Sequence, residues 1–527
     1  MLSGWSIQKY QFRYSGETSQ ESAMWLPLAP DGPRFAAIAG AITAEIRRGR
    51  LVPGERLPSS RALATALGVH RNTVLAALAE LEAQGWIATR PAQGTFVSTA
   101  LPPTGPGPGL RPPSAPGFAI PPVPVAPPPA TPPTDRRTVL LSTGVPDPRR
   151  FPVDLLARAW RRAVRRRAPT LLTYGPPEGY PPLRAALAAW IRRARGVAAS
   201  AEHVLVTRGS QMALDVCARA LLRPGDRVAV EALGYRPAWD ALRLAGAVLV
   251  PIAVDRDGLD VAALARAHAR APLRALYTTP HHQYPTTVTM SAGRRLALAA
   301  LAARTRLIVL EDDYDHEFHY DGHPVAPLAA ADPTGQVIYI GTLSKVLAPG
   351  LRLGFAIAPP PVIAAVARWR SAMDRQGDLA MEAAVAELIG DGELERHVRK
   401  MRVLYQARRD ALVAALTRQL GGAVTATAPR GGISLWAEVA PDLDLAAWLA
   451  AAAARGVVVA PGARYTFDGA EPGALRLVFA PHTPAELERA VAVLAATRPR
   501  TPATSRRPSG SGSGRRAGPS GSSPPRR

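Results

Sequence analysis

Lys345 stands in the segment Gly341-Thr342-Leu343-Ser344-Lys345-Val346-Leu347-Ala348-Pro349-Gly350-Leu351-Arg352-Leu353-Gly354, in a chain where lysine is scarce. Of 64 basic side chains only Lys9, Lys345 and Lys400 are lysines; the rest are arginines. Arginine is a poor substitute for an amine nucleophile, because its guanidinium stays protonated and delocalised. A lysine whose surroundings lower its pKa can lose its proton and form a Schiff base with a carbonyl. Lys345 is therefore the candidate for covalent chemistry.

Other residues suit the same chemistry. The apolar run Leu307–Leu310 ends in Glu311-Asp312-Asp313-Tyr314-Asp315. Carboxylates just past the C-terminal end of a parallel strand lie where α/β proteins bind ligands. There Asp312 can pair with a protonated ring nitrogen and Tyr314 can bond a phenolic oxygen. Val204-Leu205-Val206-Thr207-Arg208-Gly209-Ser210-Gln211 leads into a helix expected at 212–222, whose free N–H groups would cup a phosphate. Thr342, Ser344 and Arg352 can add hydroxyl and guanidinium bonds to it. Tyr235 can stack on a planar ring, and Arg476 offers a guanidinium to a carboxylate. Structural alternatives stand beside these readings. Asp312 and Asp313 could cap a helix or bind metal, Tyr235 could be a core aromatic, and Arg476 could be a surface ion pair. It is the joint order of these features along the chain that carries the reading.

The elements that must position them follow from composition and periodicity. At 527 residues, two or three domains are expected. Residues 138–497 alternate strand-like apolar runs with Ala/Leu/Arg-rich helical patterns, which predicts an α/β domain with a largely parallel sheet. Residues 99–137 are dominated by proline and read as a semi-rigid linker. Residues 1–24 read as a flexible extension, with Met24 as an alternative start. Residues 498–527 are Ser, Gly, Pro and Arg and cannot bury enough surface to fold alone.

Residues 25–98 form a periodic block. Phe35, Ile38, Ile42 and Ile46 mark a first helix. Ser59 or Ser60 can cap a second over about 61–67, which stops at Gly68. A third is expected over about 71–84, with Val74, Leu78 and Leu81 facing the core. Two β-like runs, 86–89 and 95–98, follow as a wing. Two short helices around a tight turn are helix-turn-helix geometry, whose second helix can enter the major groove. The string Leu51-x-Pro53-Gly54-x-x-Leu57-Pro58-Ser59-x-Arg61-x-Leu63-Ala64-x-x-Leu67-Gly68-Val69-x-Arg71-x-Thr73-Val74, with Gly85 and Gly94-Thr95-Phe96-Val97, resembles the GntR family of bacterial regulators. The resemblance implies that Arg61, Arg71, Thr73 and the wing at Gly94 touch double-stranded DNA. His70 stands where that family often has Ser, and Ala92-Gln93 replaces the usual second wing glycine.

The large block resembles fold-type I aminotransferases. Its fusion to a GntR-like head is similar to the MocR (GabR-like) regulators, over about residues 25–497. Pro280-His281-His282-Gln283-Tyr284-Pro285-Thr286-Thr287-Val288-Thr289-Met290 and the run Glu395–Arg409 add to it; Thr287 stands where the family motif usually has Gly. The resemblance implies pyridoxal 5'-phosphate as cofactor, with Lys345 as its Schiff-base lysine. Asp312 would pair with the pyridine nitrogen, Tyr314 would meet the phenolic oxygen and Tyr235 would stack on the ring. Ser210, Gln211, Thr342, Ser344 and Arg352 would hold phosphate, and Arg476 a substrate or effector carboxylate. No metal is expected. The function implied is a transcriptional regulator sensing pyridoxal 5'-phosphate or an amino compound at Lys345. It would work as a domain-swapped homodimer on a DNA operator. The rivals are a working aminotransferase carrying a DNA-binding head, and a regulator that keeps the fold only as a scaffold.

The net charge of +23 suits a polyanionic partner, although a high-arginine coding bias would also produce it. No apolar run reaches the ~18–20 residues of a membrane span. The single Cys217 precludes an internal disulfide. With no secretory signal visible, a cytoplasmic protein is expected.

Overall fold

The computed structural model describes residues 9–14, 22–27, 33–101, 114–123, 125, 138–322 and 324–499. The described residues divide into two compact units at Pro121.

In the first unit, three helices span Arg34–Arg47, Ser60–Leu67 and Arg71–Ala83, and a ribbon pairs Ile87–Arg90 with Gly94–Val97. Ser59 caps the second helix by accepting from the Ala62 N–H at 3.2 Å, and Gly68 ends it in the left-handed conformation at φ 61. His70 caps the third: its Nδ1 accepts from the Asn72 N–H at 3.3 Å, so an imidazole replaces a hydroxyl. Ile38, Ile42, Ile46, Leu63, Leu67, Val74, Leu78, Leu81 and Ile87 close one core. Phe35, expected on that face, lies in the first turn and is exposed instead. Lys9–Tyr14, in the stretch read as a flexible extension, pairs antiparallel with Ser22–Pro27, which runs three residues past the end of that stretch. Tyr10, Phe12 and Tyr14 alternate with polar residues there, which is a strand period. Most of that extension, much of the Pro-rich linker and the basic tail from residue 500 lie outside the described residues.

The second unit is built on a seven-stranded sheet. Its order is Val204–Thr207, Gly354–Ile357, Val337–Thr342, Ile308–Asp313, Ala275–Thr278, Arg227–Glu231, Val248–Ile252. All strands run parallel except Gly354–Ile357, which is antiparallel to both neighbours. Strands covered on both faces read as continuous apolar runs, as Val204–Thr207 and Ala275–Thr278 do. One face packs on Cys217, Trp239 and Val366, the other on Leu187, Trp190 and Ile191 or on Leu264, Leu298 and Leu301. A four-stranded antiparallel sheet of Val424–Ala426, Ser434–Val439, Ala474–Val478 and Ala460–Pro461 follows, with helices Glu393–Leu420 and Pro484–Thr497. Val139–Leu140 pairs with Val457–Val458, which brings the start of this unit to its C-terminal part. The buried pair Asp147–Arg408, at 2.8 Å, locks that arm. Among the described residues no helix is long and apolar enough to cross a membrane.

Candidate functional site

Five of the six parallel strands deliver side chains to one edge. Thr207 leads to Gly209-Ser210-Gln211, Glu231 to Tyr235, Thr278 to the 279–290 loop, Ile308–Asp313 to Tyr314, and Thr342 to Ser344 and Lys345. That edge, the C-terminal end of the strands, is where an open α/β sheet binds ligands. Ser210, Gln211, Tyr235, Asp312, Tyr314, Thr342, Ser344, Lys345, Arg352 and Arg476 all line one cavity of about 520 Å³. A site of this size suits a small cofactor with its substrate.

One group of lining residues suits an anion. Gly209, at φ 80, precedes the helix Ser210–Leu221, whose first turn presents free N–H groups. Gly354 lets this loop lie against the neighbouring strand: a Cβ there would stand 2.5 Å from the Gly209 carbonyl carbon. The Arg352 guanidinium lies beside Gly209, and its Nη2 donates to the Arg208 carbonyl at 2.7 Å. Thr342 Oγ1 accepts from the Ser344 N–H at 3.1 Å, which shapes the turn before Lys345.

Titratable groups line the same cavity. Lys345 Nζ donates to the Gly144 carbonyl at 2.6 Å. Burial, reinforced by the Arg476 charge, pushes the Lys345 amine down to about 8, against the opposing pull of Asp315 and Asp312. Asp312 Oδ2 accepts from the Tyr277 hydroxyl at 2.9 Å, whereas Oδ1 is buried without a partner among the described residues. Burial pushes this carboxyl up to about 7 despite that bond. Burial, and then the neighbouring Asp312, push the Tyr235 hydroxyl up to about 12. The Tyr314 hydroxyl donates to the His282 carbonyl at 3.0 Å.

A third group of lining residues is cationic and aromatic. Arg476 is buried, lies 4.8 Å over the Tyr284 ring, and leaves its Nε without a partner among the described residues. Tyr284 meets Tyr235 edge-on at 5.3 Å and Tyr465 at 5.5 Å. The loop carrying Tyr284 is pinned by Gln283. Its Nε2 donates to the Leu233 carbonyl at 2.7 Å and the Tyr284 carbonyl at 2.6 Å, and its Oε1 accepts from the Thr286 hydroxyl at 2.6 Å. Thr287 adopts φ 63, a left-handed conformation that is an outlier for a β-branched residue, and the hydrogen bonds around Gln283 hold it there.

Sequence reasoning missed Gly144, Tyr277, Tyr284 and Tyr465, which also line this cavity. Tyr284 lay inside a quoted motif. Tyr277 sits in an apolar strand and carried no signal of its own.

The DNA-directed candidates lie in the first unit. Arg61 and Arg71 are exposed at the starts of the second and third helices, and Thr73 is half-buried. Arg71 Nε donates to Ser60 Oγ at 3.3 Å, tying the two helix starts together. Gly94, at φ 116, begins the second wing strand, and Arg90 lies 4.9 Å over the Phe96 ring across the wing. Ala92 takes the wing's left-handed position at φ 61 without a glycine.

Pyridoxal 5'-phosphate fits the residues present. The Asp312 Oδ1, unpaired among the described residues, matches a protonated pyridine nitrogen, the Gly209 helix start matches a phosphate, and Lys345 lines the same cavity.

Two family models match the chain: bacterial regulatory proteins of the gntR family over residues 35–97, and aminotransferase class I and II over residues 137–494. The chain is 34% identical to the probable rhizopine catabolism regulatory protein MocR of Rhizobium meliloti, over 83% of this chain and 88% of that protein. It is 32% identical to the pyridoxine biosynthesis transcriptional regulator PdxR of Corynebacterium glutamicum, over 73% of this chain and 80% of that one. The crystal structure of Pyrococcus horikoshii kynurenine aminotransferase in complex with PMP superposes with a TM-score of 0.65 at 31% identity, covering 68% of this chain and 90% of that one.

Proposed function

Because this chain belongs to the MocR type of GntR regulators, and is a pyridoxal 5'-phosphate-dependent, DNA-binding transcriptional regulator, we propose that it reads its effector at Lys345. The observation that carries this is the single cavity in which Lys345, Asp312, the Gly209 helix start and Arg476 meet. When bound, the cofactor supplies a carbonyl for amines and an electron sink.

The chain's own residues hold and orient it. Lys345 is the nucleophile, and its lowered pKa keeps part of the amine unprotonated at neutral pH. Ser210, Gln211, Thr342, Ser344 and Arg352 would hold the phosphate. Asp312 would pair with the protonated ring nitrogen, Tyr235 would stack on the ring and Tyr314 would meet the phenolic oxygen. Arg476 takes the carboxylate of an amino-compound effector. In the first unit Arg61, Arg71, Thr73 and the wing at Gly94 meet the operator. The effector is pyridoxal 5'-phosphate itself or an amino compound that reacts with it. It acts by favouring one of two arrangements of a head at residues 25–98 and a sensor at 138–497, joined by the linker at 99–137.

The active form is a domain-swapped homodimer whose two heads read two half-sites. The test is an absorbance spectrum of the protein with pyridoxal 5'-phosphate, beside a Lys345→Ala variant. A visible band that borohydride abolishes, and that the variant lacks, is expected. A band that survives in the variant would sink the assignment of Lys345.

A further inference from the structure

Four imidazoles meet outside the cofactor cavity. His281 and His282 come from the 279–290 loop, and His316 and His319 from the turn after Ile308–Asp313; all four are buried. The His281 ring centroid lies 4.3 Å from His282, 4.3 Å from His316 and 6.1 Å from His319. Carboxylates hold two of the rings: Asp315 Oδ1 lies 2.8 Å from His282 Nδ1, and Asp313 Oδ2 lies 2.8 Å from His316 Nδ1. Five of the six remaining nitrogens are orphans. Both of His281, both of His319 and Nε2 of His282 are buried without a hydrogen-bond partner among the described residues. Each such group costs about 1–3 kcal/mol when left unsatisfied, so a cluster of them points to a ligand.

One ring nitrogen from each of His281, His282 and His319 lies within 4.8 Å of the others. A tetrahedral zinc-class ion bonds imidazole at about 2.0–2.1 Å, which sets nitrogens about 3.4 Å apart. Binding would draw the three nitrogens from within 4.8 Å of one another toward that spacing. The alternative set of His281, Asp313 and His316 is less available, since Asp313 is already engaged by His316 and by the Tyr339 hydroxyl at 2.8 Å.

We propose that His281, His282 and His319 form a binding site for one divalent transition-metal ion of the zinc class, with Asp315 orienting His282. The carboxylate on the far nitrogen of a ligating histidine fixes its tautomer and raises its basicity. Three imidazoles and no thiolate select zinc, cobalt or nickel over calcium or magnesium. A cavity of about 290 Å³ borders His319, one of the three ligands, and the neighbouring His316.

The test uses untagged, cofactor-loaded, full-length protein stripped with a chelator and titrated with cobalt and then zinc. One cobalt per chain is expected, with visible d–d bands that zinc abolishes. His281→Gln and His319→Gln should each weaken uptake at least about tenfold, and Asp315→Asn by about 10–100-fold. The cofactor absorbance of each variant reports whether the large unit is intact. No uptake at micromolar metal, or uptake unchanged in both histidine variants, would overturn the site. Should the variants fold poorly, zinc-edge X-ray absorption of the unaltered protein decides. Three imidazole nitrogens near 2.0–2.1 Å support the site, and fewer overturn it.

Discussion

The Tyr277 hydroxyl donates to Asp312 Oδ2 at 2.9 Å and leaves Oδ1 buried and unpaired among the described residues. The register of two neighbouring strands produces this relationship. Tyr277 pairs with Leu310, and Asp312 follows Leu310 by two residues, so both side chains leave the same face. Tyr277 thereby fixes the carboxylate's rotamer while leaving its outer oxygen free. The carboxyl is poorly satisfied alone and becomes well satisfied when a cation reaches Oδ1.

Asp312→Asn is therefore expected to separate stability from cofactor binding. Burial raises the Asp312 pKa from 3.8 to about 7 in the folded chain. A raised carboxyl favours the protonated folded state, so its contribution to stability is complete below about pH 4, declines as pH rises and is lost above about 7. Asparagine still accepts from Tyr277 and removes this dependence. Thermal melts of cofactor-free protein at pH 8 should show the variant unchanged or stabilised, by at most about 1–4 kcal/mol. Pyridoxal 5'-phosphate affinity should fall by about 2–5 kcal/mol, the cost of losing one partner of a buried charged pair. A variant that binds the cofactor as well as the parent contradicts the role given to Asp312.

For Lys345 the expectation concerns rate. Only the unprotonated amine attacks a carbonyl. With the amine pushed down to about 8, roughly a tenth of it is free at pH 7, against less than about a thousandth for an ordinary lysine. The rate at which cofactor-free protein takes up pyridoxal 5'-phosphate should thus rise about tenfold per pH unit below 8 and level off above it. Stopped-flow absorbance from pH 6 to 10 reads this directly. A rate still climbing at pH 10 would mean that the cavity does not lower this amine.

Much of this site is legible in the sequence because local signals mark it. Lysine scarcity singles out Lys345, a strand followed by Gly209-Ser210-Gln211 marks the residues suited to an anion, and the acidic run at 311–315 follows an apolar strand. The head is legible for the same reason: its caps at Ser59 and Gly68 and its apolar period are written within a few turns. What stays hidden is long-range. Gly144 reaches Lys345 only because Val139–Leu140 pairs with Val457–Val458, more than 300 residues away in sequence. Tyr277 reads as a core aromatic until the register sets it beside Asp312. The four histidines fall in two pairs about 35 residues apart, and no helical period links them. Thr287 hides a left-handed turn behind a residue type that disfavours one.

The head offers its own test at Arg71. Its guanidinium is exposed and held by Ser60 at the start of the third helix, where a helix-turn-helix meets DNA. Arg71→Ala should weaken operator binding by about 1–3 kcal/mol. If Arg71 contacts phosphate, the loss is uniform across sequences and the salt slope falls by about one. If it reads a base, discrimination relaxes at a single operator position. Fluorescence anisotropy at several salt concentrations separates these outcomes. Unchanged affinity and slope would remove Arg71 from the interface.

With Arg476 proposed to take the effector carboxylate and its charge lowering the Lys345 pKa, one substitution should move both. Its guanidinium is buried over Tyr284, and Gly144 makes room for it, since a Cβ there would stand 3.1 Å from Nη2. Arg476→Gln should cost amino-carboxylate ligands about 1.5–3 kcal/mol, the value of a hydrogen bond to a charged group, while amines without a carboxylate bind as before. The same positive charge helps to lower the Lys345 pKa. Removing it raises that pKa, so cofactor uptake slows below pH 8 and its plateau moves to higher pH. Titrating both ligand classes and repeating the uptake profile on one preparation tests the linkage. If carboxylate affinity falls but the uptake profile stays in place, Arg476 recognises ligand without tuning the amine. If the profile shifts while carboxylate affinity holds, it tunes the amine without touching ligand.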